Sequence, residues 1–357
     1  PGGQYGSSFP AHTAEKRGFC VNCHWPHGWP DDAAPAQDYP KLWVERYDQA
    51  DDGSDPDTAE NLCFTCHDGN PAGTDIMTTI AKGTNGASIF HHPVKDSEQA
   101  AGRSVECVDC HNPHQATPAN RIKGVSGIDL AGLPVGPGTA NNRDVVEYEL
   151  CFKCHADDAG TRGSFLPRFY NEFNKRIEFA PANPSFHPVA AAGKNPDVPS
   201  LISSLSEASI IDCSGCHNND TGPGAGGSDP AGPHGSIWAP ILERRYETQD
   251  NTNETSATYA LCYKCHRRVS ILNDASFGEH KKHIEGEDAP CSACHDPHGV
   301  APNPTNPSGA HLINFRTDIV TPNDKGALEF LDGANPFEGA CSLTCHGKDH
   351  DNKDYKP

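Results

Sequence analysis

Cys20, Cys23 and His24 form a C-x-x-C-H triplet that recurs along the chain. The further copies are Cys63/Cys66/His67, Cys107/Cys110/His111, Cys151/Cys154/His155, Cys213/Cys216/His217, Cys262/Cys265/His266 and Cys291/Cys294/His295, with a stretched C-x-x-x-C-H at Cys341/Cys345/His346. Together they consume all sixteen cysteines. Two thiols and an adjoining imidazole suit covalent attachment and proximal ligation of a c-type haem: each thiol adds to one vinyl group, and the histidine reaches the iron from one face. Zinc sites and disulfide frameworks also use paired cysteines. Neither requires a histidine directly after the second cysteine, yet all eight copies have one, in a chain with 20 histidines among 357 residues.

Hydrophobic residues make up 35% of the chain, against 34 glycines and 31 prolines, a composition too loop-prone to bury a conventional core. Eight haems leave about 45 residues each, so packed porphyrins must supply the apolar area that the side chains do not. The expected fold is mostly coil with short helices and few short strands, a haem-cored octahaem c-type cytochrome. A formal charge of −20, deepened by haem propionates, makes nucleic acid and anionic lipid poor partners. No stretch approaches the length of a membrane span. Cytochrome c maturation takes place outside the cytoplasmic membrane, and the chain opens on Pro1 without a signal peptide. It therefore reads as mature and secreted, extracellular or at the cell surface, with the periplasm as the alternative.

The motifs fall into two alternating classes. The first is followed by a second histidine, as in CHWPH, CHNPH and CHDPH; the second is preceded by leucine and carries an aromatic after its first cysteine, as at Leu62/Phe64, Leu150/Phe152 and Leu261/Tyr263. First-class motifs begin at residues 20, 107, 213 and 291 and second-class motifs at 63, 151, 262 and 341. The near-parallel spacing predicts four two-haem repeats, 1–85, 86–180, 181–272 and 273–357, joined into one continuous haem-cored unit. The third repeat has a Gly-rich insertion before His234, and the fourth has the stretched motif. Lead-ins such as VVEYELCFKCH open with polar residues and suit short helices that present the motif.

Each repeat offers two histidines outside its motifs. They supply eight candidate distal ligands, His12, His27, His92, His114, His187, His234, His283 and His298. His91, His280, His311 and His350 are left over and read as surface imidazoles, the choices of His92 over His91 and of His283 over His280 resting on alignment alone. The segment HLINF falls where the other repeats carry KLWVERY, RIKGVSG and ILERRYE, and reads as a short strand. Met77 is the only thioether available and is assigned to packing. Two Asp-rich loops, 48–57 and 212–229, offer the hard oxygen donors calcium takes, but neither has the EF-hand ligand order.

Imidazole on both faces of every iron leaves no open position for substrate, so the expected role is electron passage, not catalysis. In CHWPH, CHNPH and CHDPH the two histidines are too close along the chain to clamp one haem, so the second is expected to serve a neighbouring haem. This alternation of LCxxCH, HPV and CHxPH(G) resembles the doubled-CXXCH multihaem cytochromes, which include extracellular cytochrome nanowires of metal-reducing bacteria and related archaeal filaments. The resemblance implies stacked haems, a mostly coil fold, and filament assembly when a histidine of one subunit ligates a haem of the next. It makes His12 a candidate for that donated ligand in a homopolymer, with ligation inside its own chain as the alternative; a head-to-tail contact of this kind does not close. Redox-partner cytochromes or extracellular acceptors are then the expected partners. The rival reading is an octahaem oxidoreductase of nitrogen or sulfur compounds, for which the stretched eighth motif is the first place to look for an open iron; a soluble monomeric shuttle differs only in assembly. Because the haems are expected to form the core, chain produced without haem attachment should be largely unfolded by circular dichroism, and a cooperatively folded apoprotein would contradict this.

Overall fold

A computed structural model describes residues 63–64, 66–69, 72–80, 90–94, 105–157, 166–302 and 309–355. The first motif, His12, His27 and the 48–57 loop lie outside the described residues. The described chain is mostly coil with short helices and small antiparallel sheets. No helix among the described residues is long and apolar enough to cross a membrane. The chain divides into two compact units, residues 1–121 with 217–243, and residues 122–216 with 244–357.

In the first unit, a short helix spans Ile76–Ile80 and a single helical turn spans Cys107–Cys110. Phe64, Ile80 and Val94 form a small buried cluster, and Phe90 pairs in an isolated bridge with Ser236. Gly235, of the PHG that closes the third repeat's insertion, lies so close to the Thr79 carbonyl that a Cβ there would collide with it.

The second unit holds eight short strands: β1 (Gly127–Ile128), β2 (Pro134–Val135), β3 (Ser185–Phe186), β4 (Gly299–Val300), β5 (Val320–Thr321), β6 (Glu329–Asp332), β7 (Gly339–Cys345) and β8 (Lys348–Tyr355). β1 pairs with β2 and β3 with β4, while β7 pairs with β5, β6 and β8, all antiparallel. The pairing of Phe186 with Gly299 repeats that of Phe90 with Ser236, so an FH(H)PV segment lies against a PHG segment in each unit. Gly299, like Gly235, abuts a backbone carbonyl, here that of Glu178.

The longest helix, Glu147–His155, carries the fourth motif. Buried Glu149 begins it by accepting the Val146 N–H at 3.0 Å while Arg143 holds the same carboxylate at 2.5 Å; Lys153 and His155 occupy the last turn, where positive charge is favoured. Hydrophobic cores are small and sit beside the motifs. Phe152, Ala156, Phe179 and Val189 pack with Cys213; Tyr259, Leu272 and Ile284 pack with Cys262 and Cys291; Ile313, Phe315, Phe330 and Leu343 pack with Cys294, Cys341 and Cys345.

A buried polar network fixes the seventh motif. Arg168 Nη1 donates to the carbonyls of Ser292 and Asn314, each at 2.8 Å, and Asn314 Nδ2 donates to Tyr170 O at 2.8 Å and to Asp296 at 3.1 Å. Arg168 is 6% exposed, so losing it strands two carbonyls away from water and removes the ion pair with Asp296. Arg168→Leu is expected to cost about 3 kcal/mol, read as a lowered Tm by calorimetry; an unchanged Tm would show that the network is dispensable.

Candidate haem-ligation sites

Six described C-x-x-C-H motifs are single helical turns or lie in helices. Cys107–Cys110 and Cys291–Cys294 are α-turns, Cys151 and Cys154 lie within the Glu147–His155 helix, and 3-10 turns at Cys213–Gly215 and Cys262–Lys264 lead into Cys216 and Cys265; Cys63 and Cys66 are also helical. The turn closes with the N–H of the motif histidine on the carbonyl of the first cysteine, at 2.9 Å for His111 and 3.0 Å for His266 and His295. Residues i and i+3 then share a face, so both thiols stand on one side with the imidazole beside them. The eighth motif differs: Cys341 and Cys345 lie on β7, and His346, at φ 48°, with Gly347 at φ 71°, makes the two-residue turn into β8. Two successive positive φ values at such a turn match the hairpin type that follows the strands' own twist.

The surroundings of the second cysteines differ. Cys154 is exposed, whereas the other thirteen described cysteines are partly buried. Its helix turns Phe152 and Ala156 into the apolar cluster, and a residue two positions after Phe152 points to the opposite side. Cys265 lies one residue past its 3-10 turn, where its N–H donates to Cys262 O at 3.2 Å and its carbonyl accepts the Ile202 N–H at 3.0 Å. Cys262 packs in the Tyr259 cluster, and both Cys262 and Cys265 act on the Cys216 thiol of the preceding first-class motif.

The imidazoles are oriented by a recurring device. Among first-class motifs, His111 Nδ1 donates to Arg121 O at 3.0 Å, His217 Nδ1 to Pro240 O at 2.9 Å, and His295 Nδ1 to His311 O at 2.9 Å. These three carbonyls all come from the segments RIKGVSG, PILERRYE and HLINF that align after each PH. A carbonyl can only accept, so each ring carries its proton on Nδ1 and its lone pair on Nε2. His266 Nδ1 meets Ser200 Oγ at 2.8 Å and His67 Nδ1 meets Thr74 Oγ1 at 3.0 Å. Outside the motifs, His92 Nδ1 donates to Pro233 O at 3.0 Å, His187 Nδ1 to Pro297 O, and His283 Nδ1 to Glu279 O at 2.8 Å. His92 and His187 share more than that: each is followed by a Val N–H turned back onto its own carbonyl, and each valine packs with the aromatic of a second-class motif, Val94 with Phe64 and Val189 with Phe152.

Within the units, three motif histidines face a histidine from elsewhere. Ring centres are 6.1 Å apart for His111 and His234, 6.3 Å for His266 and His187, and 6.3 Å for His295 and His280. A metal ion with an imidazole nitrogen about 2 Å away on each side places the ring centres about 6 Å apart. His280, read from sequence as a surface imidazole, is therefore the ring opposite His295, and its Nδ1 is buried without a hydrogen-bond partner. His283 instead lies 6.4 Å from His350. His298 Nδ1 is 3.1 Å from the Glu178 carboxylate with its ring edge-on to Phe179, and the backbone N–H of His114 donates to Asn112 Oδ1 at 3.0 Å. His311 contributes its carbonyl to His295 and its Nε2 to Asp332 at 2.9 Å. Burial holds His234, His266 and His295 near pKa 4 and His280 near 3, so all four are neutral at pH 7 with a lone pair to offer.

Motif cysteines also meet one another. The Cys63 and Cys107 thiols are hydrogen-bonded, as are those of Cys262 and Cys291, so a second-class motif touches the first-class motif that follows it in both units. No disulfide joins the fourteen described cysteines. Burial raises the Cys216 and Cys294 thiols to about 12, and the hydrogen bond with Cys262, with burial behind it, holds Cys291 well above the ordinary range.

One protein family matches the chain, outer membrane cytochromes of the MtrC/MtrF-like type, domains II/IV, over residues 138–303, a little under half of the sequence. That stretch contains four complete C-x-x-C-H motifs and His187, His234, His280, His283 and His298. No curated protein and no solved structure gives a significant match. The similarity supports a multihaem c-type cytochrome, and covalently bound c-type haem is the group it implies. The residues fit that group: helical thiol pairs with adjoining imidazoles, buried neutral rings, Nδ1 tied to a carbonyl in His92, His111, His187, His217 and His295, and three ring pairs at the spacing of a two-faced ligand pair. No group of three or more His, Cys, Asp or Glu among the described residues is gathered to hold a bare metal ion. In haem-loaded protein, His234→Ala is expected to leave one iron five-coordinate, seen as binding of one CO per reduced chain; no CO binding would show that His234 is not a ligand.

Proposed function

We propose that this chain is an octahaem electron conduit, with sixteen cysteines holding eight haems and a histidine on each face of every iron, and that it assembles into extracellular filaments. When bound, haem c supplies a reversible one-electron couple at its iron. The chain's own residues hold the buried imidazoles neutral and, where a backbone carbonyl accepts the Nδ1 proton, fix the tautomer; a histidine held for each face would leave small molecules no open site. The observation that carries this reading is the facing of His111, His266 and His295 by His234, His187 and His280 at 6.1–6.3 Å. The thiol contacts between successive motifs support closely spaced haems, along which electrons pass without catalysis. An acidic chain of this composition suits transfer to redox-partner cytochromes or extracellular acceptors, and the outer-membrane character of the similar family supports an extracellular address.

On the filament reading His12 ligates an iron of the neighbouring subunit. A specific observation favours a second assignment: His187 faces His266 inside one repeat, and the aligned His12 would face His67 in the same chain. Intact mass of the purified protein is expected to show eight haems, and negative-stain microscopy thin filaments. His12→Ala is expected to abolish long filaments; filaments of unchanged length together with one newly CO-reactive iron would establish the internal assignment instead. A wild-type protein carrying no covalent haem would overturn the cytochrome reading altogether.

A further inference from the structure

The eighth motif departs from the others in the backbone and in the histidine meant to bind iron. We propose that the haem attached at Cys341 and Cys345 is ligated by His283 and His350, and that His346, the histidine of the motif, is not an iron ligand. The proposal rests on the octahaem reading above.

Four observations support it. First, the helical turn that sets the motif histidine beside its thiols is missing here, because Cys341–Cys345 is β-strand and His346 occupies the hairpin turn. The hairpin brings another histidine back alongside the same segment: His350 lies opposite Leu343, midway between the two cysteines. Second, His346 Nε2, the nitrogen a motif histidine offers to iron, contacts both carboxylate oxygens of Asp250 at 2.9 and 3.0 Å. Third, His283 and His350 face each other with ring centres 6.4 Å apart, matching the three motif pairs, and each is held by Nδ1, His283 on Glu279 O at 2.8 Å and His350 on the Tyr355 hydroxyl at 2.9 Å. The same Tyr355 hydroxyl hydrogen-bonds the Cys341 thiol, tying the anchored imidazole to the first attachment point.

Fourth, the repeat logic puts His283 at this haem. His187 faces the second-class motif histidine of its own repeat, His266, and the residue two beyond it packs with a second-class aromatic. In the fourth repeat Ile284, directly after His283, packs with Tyr263, and the first-class position opposite His295 is filled by His280. His283 thereby corresponds to His187, and the second-class motif of its repeat is the eighth. Phe277, ring-stacked on His283 at 6.2 Å and 4.9 Å from Tyr355, adds an aromatic wall on the same side.

The test uses intact, haem-loaded protein. Intact mass first establishes the haem count: absence of haem from the whole chain defeats the octahaem reading, whereas loss of only the Cys341/Cys345 haem defeats this proposal alone. With eight haems present, His350→Ala and His283→Ala should each create one high-spin ferric centre and uptake of one CO per reduced chain, while His346→Ala should leave every iron low-spin. A CO-reactive centre in His346→Ala, with His350→Ala unchanged, would overturn the proposal. Should the variants fail to mature, carbethoxylation of the wild-type holoprotein reads the same question. Labelled His346 with protected His283 and His350 is expected; protected His346 with labelled His350 would overturn the assignment.

Discussion

The structure depends on a backbone carbonyl that accepts the Nδ1 proton of an imidazole. The bond costs the ring its rotational freedom, fixes the tautomer and leaves Nε2 as the electron-pair donor. Because the acceptor is main chain, the device tolerates wide variation in side chain: Arg121, Pro240 and His311 serve three equivalent histidines with nothing in common but their position. A chain rich in glycine and proline, with little periodic structure to align its groups, can still place an imidazole accurately where one loop passes another.

The apolar clusters are correspondingly modest. Three of them gather around one to three motif cysteines and the aromatic or β-branched residues nearest to them, so the packing there serves to hold attachment points. Contacts between the Cys63 and Cys107 thiols, and between those of Cys262 and Cys291, join a second-class motif to the next first-class one. The segments grouped as repeats on sequence are therefore interlocked: His92 in the second is anchored by Pro233 of the third, and His187 in the third by Pro297 of the fourth.

Much of this is legible in the sequence where the chemistry requires fixed spacing. The thiol pairs, the adjoining histidines and the sparse secondary structure all follow from composition and motif, and His92 and His187 stand out because HPV is a local signature. Spacing does not reveal how each thiol is covered: exposed Cys154 and partly buried Cys151 belong to one motif. The placements of His280 and His350 escape a sequence reading because they depend on tertiary approach: His280 meets a ring fifteen residues away, and His350 is carried to His283 by the β7–β8 hairpin. The HLINF segment has the residues of a strand; it forms a 3-10 turn at Ala310–Leu312, and only Ile313 bridges, to His295. A signal for its function is present all the same, since the aligned segments after each PH supply the carbonyls that hold first-class histidines.

The claim that histidine occupies both faces of every iron is tested most directly by spin quantitation of the oxidised wild-type protein. Low-spin ferric centres counted by electron paramagnetic resonance are set against total iron from atomic absorption. Equal numbers, eight per chain, are expected. A substantial high-spin fraction that binds added cyanide or nitrite would contradict it and move the chain toward the enzymes.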